Sequence, residues 1–136
     1  MSDPLLAVVA LDHVGIASDS GEPELTRLVG GPPTDMREMP SGVGVGRFGP
    51  AGQLELVMAL RPGSPIERFL ERRGPGLHHL ALRVDEPLTT LLPRLEAAGA
   101  EPIGAIAPSS DGRPSLFLHP ASTGGVLVEL VEGPRP

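Results

Sequence analysis

Apolar and polar residues alternate with a period of two in several short stretches of the 136-residue chain. The clearest is GQLELVMAL, in which Leu54, Leu56 and Met58 take every second position. Because successive side chains of a β-strand point to opposite faces, this spacing predicts a strand. Other short stretches, bounded by glycine, proline or small polar residues, predict further strands near 7–17, 33–40, 42–50, 76–85, 101–110, 113–121 and 125–133.

Three stretches carry the signals of short helices. In GSPIERFLERRG, Ser64 is a typical N-cap residue, Pro65 suits the first helical position, and Gly74 ends the pattern. Weaker helical patterns occupy residues 21–30 and 86–100. Strands and helices are therefore mixed along the chain, in the same order in its two halves.

The second half of the chain repeats the first at the level of single residues. LDHVGIA aligns with LHHLALR, which pairs His13 with His79. LELV aligns with VELV near the C-terminus, which pairs Glu55 with Glu129. Each half therefore contributes one histidine and one glutamate. His78, the neighbour of His79, would point to the opposite face of the same strand.

These four paired residues have the chemistry of a metal site. Each of them alone is more simply explained as a solvated or core side chain, but a buried carboxylate needs a partner. Their relation by a repeat favours one divalent cation, because two imidazole nitrogens and two carboxylate oxygens suit Mn, Co, Ni, Zn or Fe. About two positions of an octahedral ion would stay open for a substrate with two oxygens. Glu55 as a fourth ligand argues against an iron(II) oxygenase.

Composition and charge narrow the class of partner. The net charge of −6 disfavours nucleic acid, and the lack of cysteine and lysine excludes thiolate and Schiff-base chemistry. No apolar run approaches the roughly 20 residues that span a bilayer, and no N-terminal segment resembles a signal peptide. We therefore expect a cytoplasmic protein without a membrane partner. His119, which precedes Pro120, is expected in a turn.

Four blocks resemble the vicinal oxygen chelate superfamily, which contains glyoxalase I and the extradiol dioxygenases, and within it the methylmalonyl-CoA epimerase family. They are LDHVGIAS, LELVMAL, GSPIERFLERRGPGLHHLALRVDE and LFLHPASTGGVLVELVE, and they cover well over half of the chain. The long block 63–86 is the most specific. The resemblance implies a single domain with a glyoxalase-like α+β fold. Two βαβββ modules, about 1–61 and 75–136, would be joined by a helix over 64–73 and form a cleft around one metal ion.

The resemblance also implies an activity and residue roles. The implied metal ligands are the four residues of the repeat, His13, Glu55, His79 and Glu129, around one Co, Mn, Ni or Zn ion. The implied reaction is the epimerisation of an acyl-CoA thioester, by proton exchange through a metal-stabilised enolate. Glu129 is the first choice for proton transfer and Glu55 the second. Some epimerases use a further acid at the position where this chain has Val45, within an altered 41–49 region.

Two alternative functions remain open at this point. A glyoxalase I-like lactoylglutathione lyase would use the same His/Glu/His/Glu set on a thiol hemithioacetal. A non-catalytic member of the superfamily would only sequester a ligand, but such members generally lack a complete set of metal ligands. In either case, two curved half-sheets in a chain this short leave apolar surface and open edges, so we expect a homodimer.

Overall fold

The computed structural model of the protein describes residues 5–136, and residues 1–4 lie outside it. The described chain forms eight strands, three α-helices and two 3₁₀ turns. The strands are β1 (Val8–Ala17), β2 (Arg37–Glu38), β3 (Val43–Phe48), β4 (Leu54–Ala59), β5 (Gly76–Val84), β6 (Pro102–Pro108), β7 (Pro114–Leu118) and β8 (Val128–Glu132). The helices are α1 (Glu24–Leu28), α2 (Pro65–Arg73) and α3 (Leu88–Ala97), and the 3₁₀ turns are Pro50–Gly52 and Pro120–Ser122. Every strand and helix that the hydrophobic pattern predicts is present.

The signals that predict helix α2 act as expected. The Ser64 hydroxyl accepts a hydrogen bond from the backbone N–H of Glu67 at 3.2 Å, and Pro65 occupies the first position. Gly74 ends the helix with φ 72°, a backbone conformation that favours glycine. An N-cap of this kind stabilises a helix by about 1 kcal/mol.

The chain divides into two compact units. The first unit is His13–His78, and the second combines the residues up to Asp12 with His79–Pro136. In the first unit β1 runs parallel to β4, which pairs antiparallel with β3, and β3 pairs antiparallel with β2. In the second unit β5 runs parallel to β8, and β8, β7 and β6 pair antiparallel in turn. The element order is βαβββ twice, which confirms the predicted glyoxalase-like α+β fold.

The core of the first unit lies under helix α2. Ile66 of that helix packs with Ala17, Val45 and Val57, which come from three neighbouring strands. The register pairs Ala17 with Val57 and Val45 with Val57, so these three side chains share one face of the sheet. Because strand side chains alternate, Glu55 lies on that same face.

The core of the second unit lies under helix α3 and uses the other face of its strands. Buried leucines of the helix pack against buried leucines of β7 and β8, and the set is Leu88, Leu91, Leu95, Leu116, Leu118 and Leu130. Glu129 neighbours Leu130 in β8 and so points away from this core. Among the described residues, no helix is long and apolar enough to cross a membrane.

The glycines of β3 make room for close packing. A Cβ atom at Gly46 would overlap the Met36 sulfur and approach Pro33 Cβ to 2.7 Å. A Cβ atom at Gly44 would come within 2.7 Å of a Leu60 methyl carbon. The glycine-rich stretch is therefore a strand on which neighbouring side chains lie directly against the backbone.

Candidate metal centre

The first unit holds a buried pair formed by His13 on β1 and Glu55 on β4. Gly15 stands opposite Glu55 in the parallel register, and His13, two residues earlier, points to the same face. The Nε2 atom of His13 lies 3.6 Å from Oε1 of Glu55, and the side chains are 2% and 7% exposed. The sheet thus brings an imidazole nitrogen and a carboxylate oxygen together away from bulk water.

The second unit repeats this pair with His79 on β5 and Glu129 on β8. Ala81 stands opposite Glu129, and His79 again lies two residues earlier on the same face. The Nε2 atom of His79 lies 3.5 Å from Oε1 of Glu129. The two units therefore place their histidine and glutamate at the same register position, as the internal repeat of the sequence pairs them.

The donors in each pair fit a divalent metal ion. Imidazole nitrogen and carboxylate oxygen bind such an ion at about 2.0–2.2 Å, so two ligands of one ion lie about 3.0–3.5 Å apart. The two observed N–O distances, 3.5 and 3.6 Å, are close to that separation. Each unit therefore presents one nitrogen and one oxygen donor in an arrangement that fits metal binding.

The residue across the sheet from each glutamate differs between the units. Arg47 of β3 stands opposite Glu55, and its Nε atom lies 3.3 Å from Oε2 of that carboxylate. Phe117 of β7 stands opposite Glu129. Its ring meets the imidazole of His79 edge-on, with centroids 5.5 Å apart and planes at 77°. Sequence analysis missed Arg47. The prediction of two adjacent strands that form an antiparallel hairpin could have placed it opposite Glu55.

The remaining histidines have structural contacts. His78 packs edge-on against Phe69 of helix α2, with ring centroids 4.9 Å apart. The His119 Nδ1 atom accepts a hydrogen bond from the backbone N–H of Ala121 at 3.0 Å and so begins a 3₁₀ turn, which confirms the predicted turn. His78 and His79 are therefore in different environments: the first contacts helix α2, and the second pairs with Glu129.

Val45 lies in the apolar core of the first unit. It is buried, stands opposite Val57 and belongs to the cluster that contains Ile66. It shares a face with Glu55, because Val57 lies two residues after that glutamate. The position of Val45 is thus packed with aliphatic side chains.

A buried ion network in the second unit was not found from the sequence. Arg113 donates two hydrogen bonds to the carboxylate of Asp12, at 2.7 and 2.9 Å, and others to Asp111. Burial by itself would raise the pKa of the Asp111 carboxyl, but hydrogen bonds from Arg113 and Ser109 outweigh it and leave the pKa below its ordinary value. Asp12 and Arg113 are 101 residues apart, so no local sequence pattern could predict their pairing.

The architecture and the paired donors define a glyoxalase-like α+β protein whose buried histidines and glutamates fit a divalent metal ion. No family model matches the sequence. A solved structure of methylmalonyl-CoA epimerase from Mycobacterium tuberculosis superposes with a TM-score of 0.82. It is 29% identical to this chain, and the match covers 98% of this chain and 93% of that one.

Two curated relatives carry epimerase names. The ethylmalonyl-CoA/methylmalonyl-CoA epimerase of Cereibacter sphaeroides is 42% identical over 84 residues, which are 60% of this chain and 62% of that protein. The mitochondrial methylmalonyl-CoA epimerase of Dictyostelium discoideum is 40% identical over 88 residues, or 59% of this chain and 49% of that protein. The matches thus span roughly half to three-fifths of these relatives' length.

Proposed function

We propose that the protein is a divalent-metal-dependent epimerase of the methylmalonyl-CoA type. The observation that carries the proposal is the duplicated, buried histidine–glutamate pair at one register position in both units. The epimerase names of the two curated relatives and the fold shared with a solved epimerase support it. The substrate class is an acyl-CoA thioester whose α-carbon also bears a carboxylate.

One ion is proposed to be held by all four residues, His13, Glu55, His79 and Glu129, with Co, Mn, Ni or Zn as candidates. Each unit alone offers one nitrogen and one oxygen, whereas a stable site needs more donors than two. The domain organisation proposed with it is one module over 1–61 and another over 75–136. When bound, the ion would stabilise the negative charge of the enolate as a Lewis acid.

Proton transfer is proposed for the glutamates. The hydrogen between a thioester and a carboxylate is weakly acidic, and a base on one face must remove it while an acid returns it on the other. Glu129 is the first candidate, and the residue opposite it across the sheet is the uncharged Phe117. Glu55 is the second candidate, and its Oε2 atom lies 3.3 Å from Nε of Arg47.

The protein is further proposed to act as a homodimer. Large apolar side chains are exposed on strands β1 and β5, among them Val9, Leu11 and Leu77. Exposed apolar surface of this kind favours association. A monomer mass at micromolar concentration, measured by light scattering, would contradict this part of the proposal.

The experiment that tests the activity incubates metal-loaded protein with methylmalonyl-CoA in D₂O and follows deuterium at the α-carbon. Metal-dependent incorporation is expected. Because Val45 offers no second acid, incorporation from one face should outrun the loss of stereochemistry measured in the same sample. Equal fast rates would reveal a second acid elsewhere.

Two other results would replace the epimerase proposal. Conversion of a thiol hemithioacetal without exchange on methylmalonyl-CoA would assign the glyoxalase I-like lyase activity, which the same donor set also suits. Binding of a ligand without either reaction, by protein that is shown to hold its metal, would assign the ligand-sequestering function.

A further inference from the structure

Arg47 is a charged residue in a position that the fold does not require to be charged. It lies opposite Glu55 across the β3–β4 pair, and its side chain is only 20% exposed. The same register position in the second unit is taken by Phe117 opposite Glu129. Since an uncharged aromatic residue is compatible with the fold at the equivalent position, the reason for a charged residue at position 47 lies in its contacts.

The contacts of Arg47 divide the two oxygens of Glu55 between different partners. Oε2 of the carboxylate lies 3.3 Å from Nε of Arg47, while Oε1 lies 3.6 Å from Nε2 of His13. The other end of the guanidinium is also held, because its Nη1 atom donates a hydrogen bond to the carbonyl oxygen of Gly52 at 3.1 Å. The β3–β4 turn therefore anchors the arginine, and its Nε atom lies beside Oε2 of the carboxylate.

We propose that Arg47 is a positioning residue that occupies Oε2 of Glu55 and makes Glu55 a one-oxygen metal ligand. The inference rests on the proposed metal site. A carboxylate free to bind through both oxygens would take an additional coordination position. Arg47 prevents this, so that the positions a two-oxygen substrate needs stay open. It also compensates the charge of one of the two buried glutamates.

The test counts the water molecules bound to Mn²⁺ in the protein, from the broadening of the Mn²⁺ EPR lines in ¹⁷O-enriched water. Two waters are expected for the unsubstituted chain and one for Arg47→Met. The same substitution should also tighten Mn²⁺ binding on the order of tenfold, because a positive charge near the ion is removed. Arg47→Lys, which keeps the charge, should restore the count to two.

The matched control is Arg61→Met. Arg61 belongs to the same unit and pairs with Glu38, but its side chain is 69% exposed. The substitution changes the net charge by the same amount, and it should leave both the water count and the Mn²⁺ affinity unchanged. Circular dichroism and a thermal melt of each variant show whether it is folded.

Three results would overturn the inference. One bound water in the unsubstituted chain would show that Glu55 already binds through both oxygens, and this result needs no variant. Equal counts and affinities for Arg47→Met and Arg61→Met would show that Arg47 does not position the ligand. No Mn²⁺ binding by the unsubstituted chain, with none of the other candidate metals bound either, would overturn the proposed metal site together with the role of Arg47.

Discussion

The two units carry the same histidine–glutamate pair in the same register, yet they surround the glutamate differently. Arg47 stands opposite Glu55 in the first unit, and Phe117 stands opposite Glu129 in the second. The backbone pairing decides where a donor lies, whereas the neighbour across the sheet decides the charge around it. A duplicated scaffold can therefore hold two chemically identical groups in different surroundings.

The helices extend this contrast. In the first unit, α2 packs Ile66 against Val45 and Val57, on the face that carries Glu55. In the second unit, α3 packs on the face opposite to Glu129. Ser115 takes the register position that corresponds to Val45, and its hydroxyl donates a hydrogen bond to the carbonyl oxygen of Ala107. We call the sheet face that carries the histidine and the glutamate the donor face. In the first unit the donor face also carries the apolar core, whereas in the second unit the apolar core lies on the opposite face.

The largest expected effect is the loss of metal on removal of either histidine of the repeat. His13→Ala and His79→Ala should each weaken metal binding by at least about a hundredfold. Loss of a residue that only hydrogen-bonds to a metal ligand costs about 10–100-fold, and loss of a ligand itself should cost more. His78→Ala is the control, because that ring packs on Phe69, and it should leave affinity nearly unchanged. Calorimetric titration with Mn²⁺ or Co²⁺ measures all three. The opposite result, with His78 essential and His79 dispensable, would place the repeat out of register by one residue.

The next effect compares the two glutamates. Glu129→Gln should keep part of the metal affinity, since the amide oxygen still coordinates. It should nevertheless slow deuterium exchange by about 10²–10⁴-fold, since an amide cannot carry the proton. Glu55→Gln should slow exchange less, because Oε2 of Glu55 already faces Arg47 and is not free to take up the substrate proton. Rates measured at saturating metal separate the two effects. Equal losses in both variants would mean that the units do not divide the roles.

A core substitution in each unit should distinguish the two ways in which the helices pack. Ile66→Ala and Leu91→Ala should each destabilise the protein by about 2–5 kcal/mol, as buried aliphatic truncations do. Only Ile66→Ala should also weaken metal binding, because α2 packs on the donor face. Urea unfolding and metal titration of both variants provide the check. A loss of affinity with Leu91→Ala of the same size would remove the distinction.

The smallest effect concerns acid and the ion network of the second unit. The pKa of Asp111 is lowered in the folded state, so the stability it contributes is complete above its ordinary pKa of 3.8. That contribution is lost as the pH falls through the lower, folded-state pKa. Asp111→Asn should therefore lower stability near neutral pH and flatten its decline below pH 3.8. Unfolding curves recorded at several pH values test this. An unchanged slope would show that the pKa of Asp111 is not lowered in the folded state.

Local patterns were sufficient for the elements of the fold. Strand periodicity, the Ser64 cap and the glycine after α2 depend on residues within a few positions of one another, so they can be read along the chain. The β3 segment shows where such reading stops. The sequence shows that this segment is rich in glycine, but the packing of Met36 and Pro33 against Gly46 exists only in the folded protein.

The sequence by itself determined the order of the elements and, through its internal repeat, which histidine corresponds to which and which glutamate to which. The order of elements and the correspondence between repeats depend only on position along the chain, so they can be found by aligning one half of the sequence with the other. Only the tertiary structure decided that Arg47 faces Glu55, that α2 covers the donor face, and that Asp12 meets Arg113. Each depends on strand register or on contacts between residues far apart in the chain, and a shift of one residue would reverse the faces.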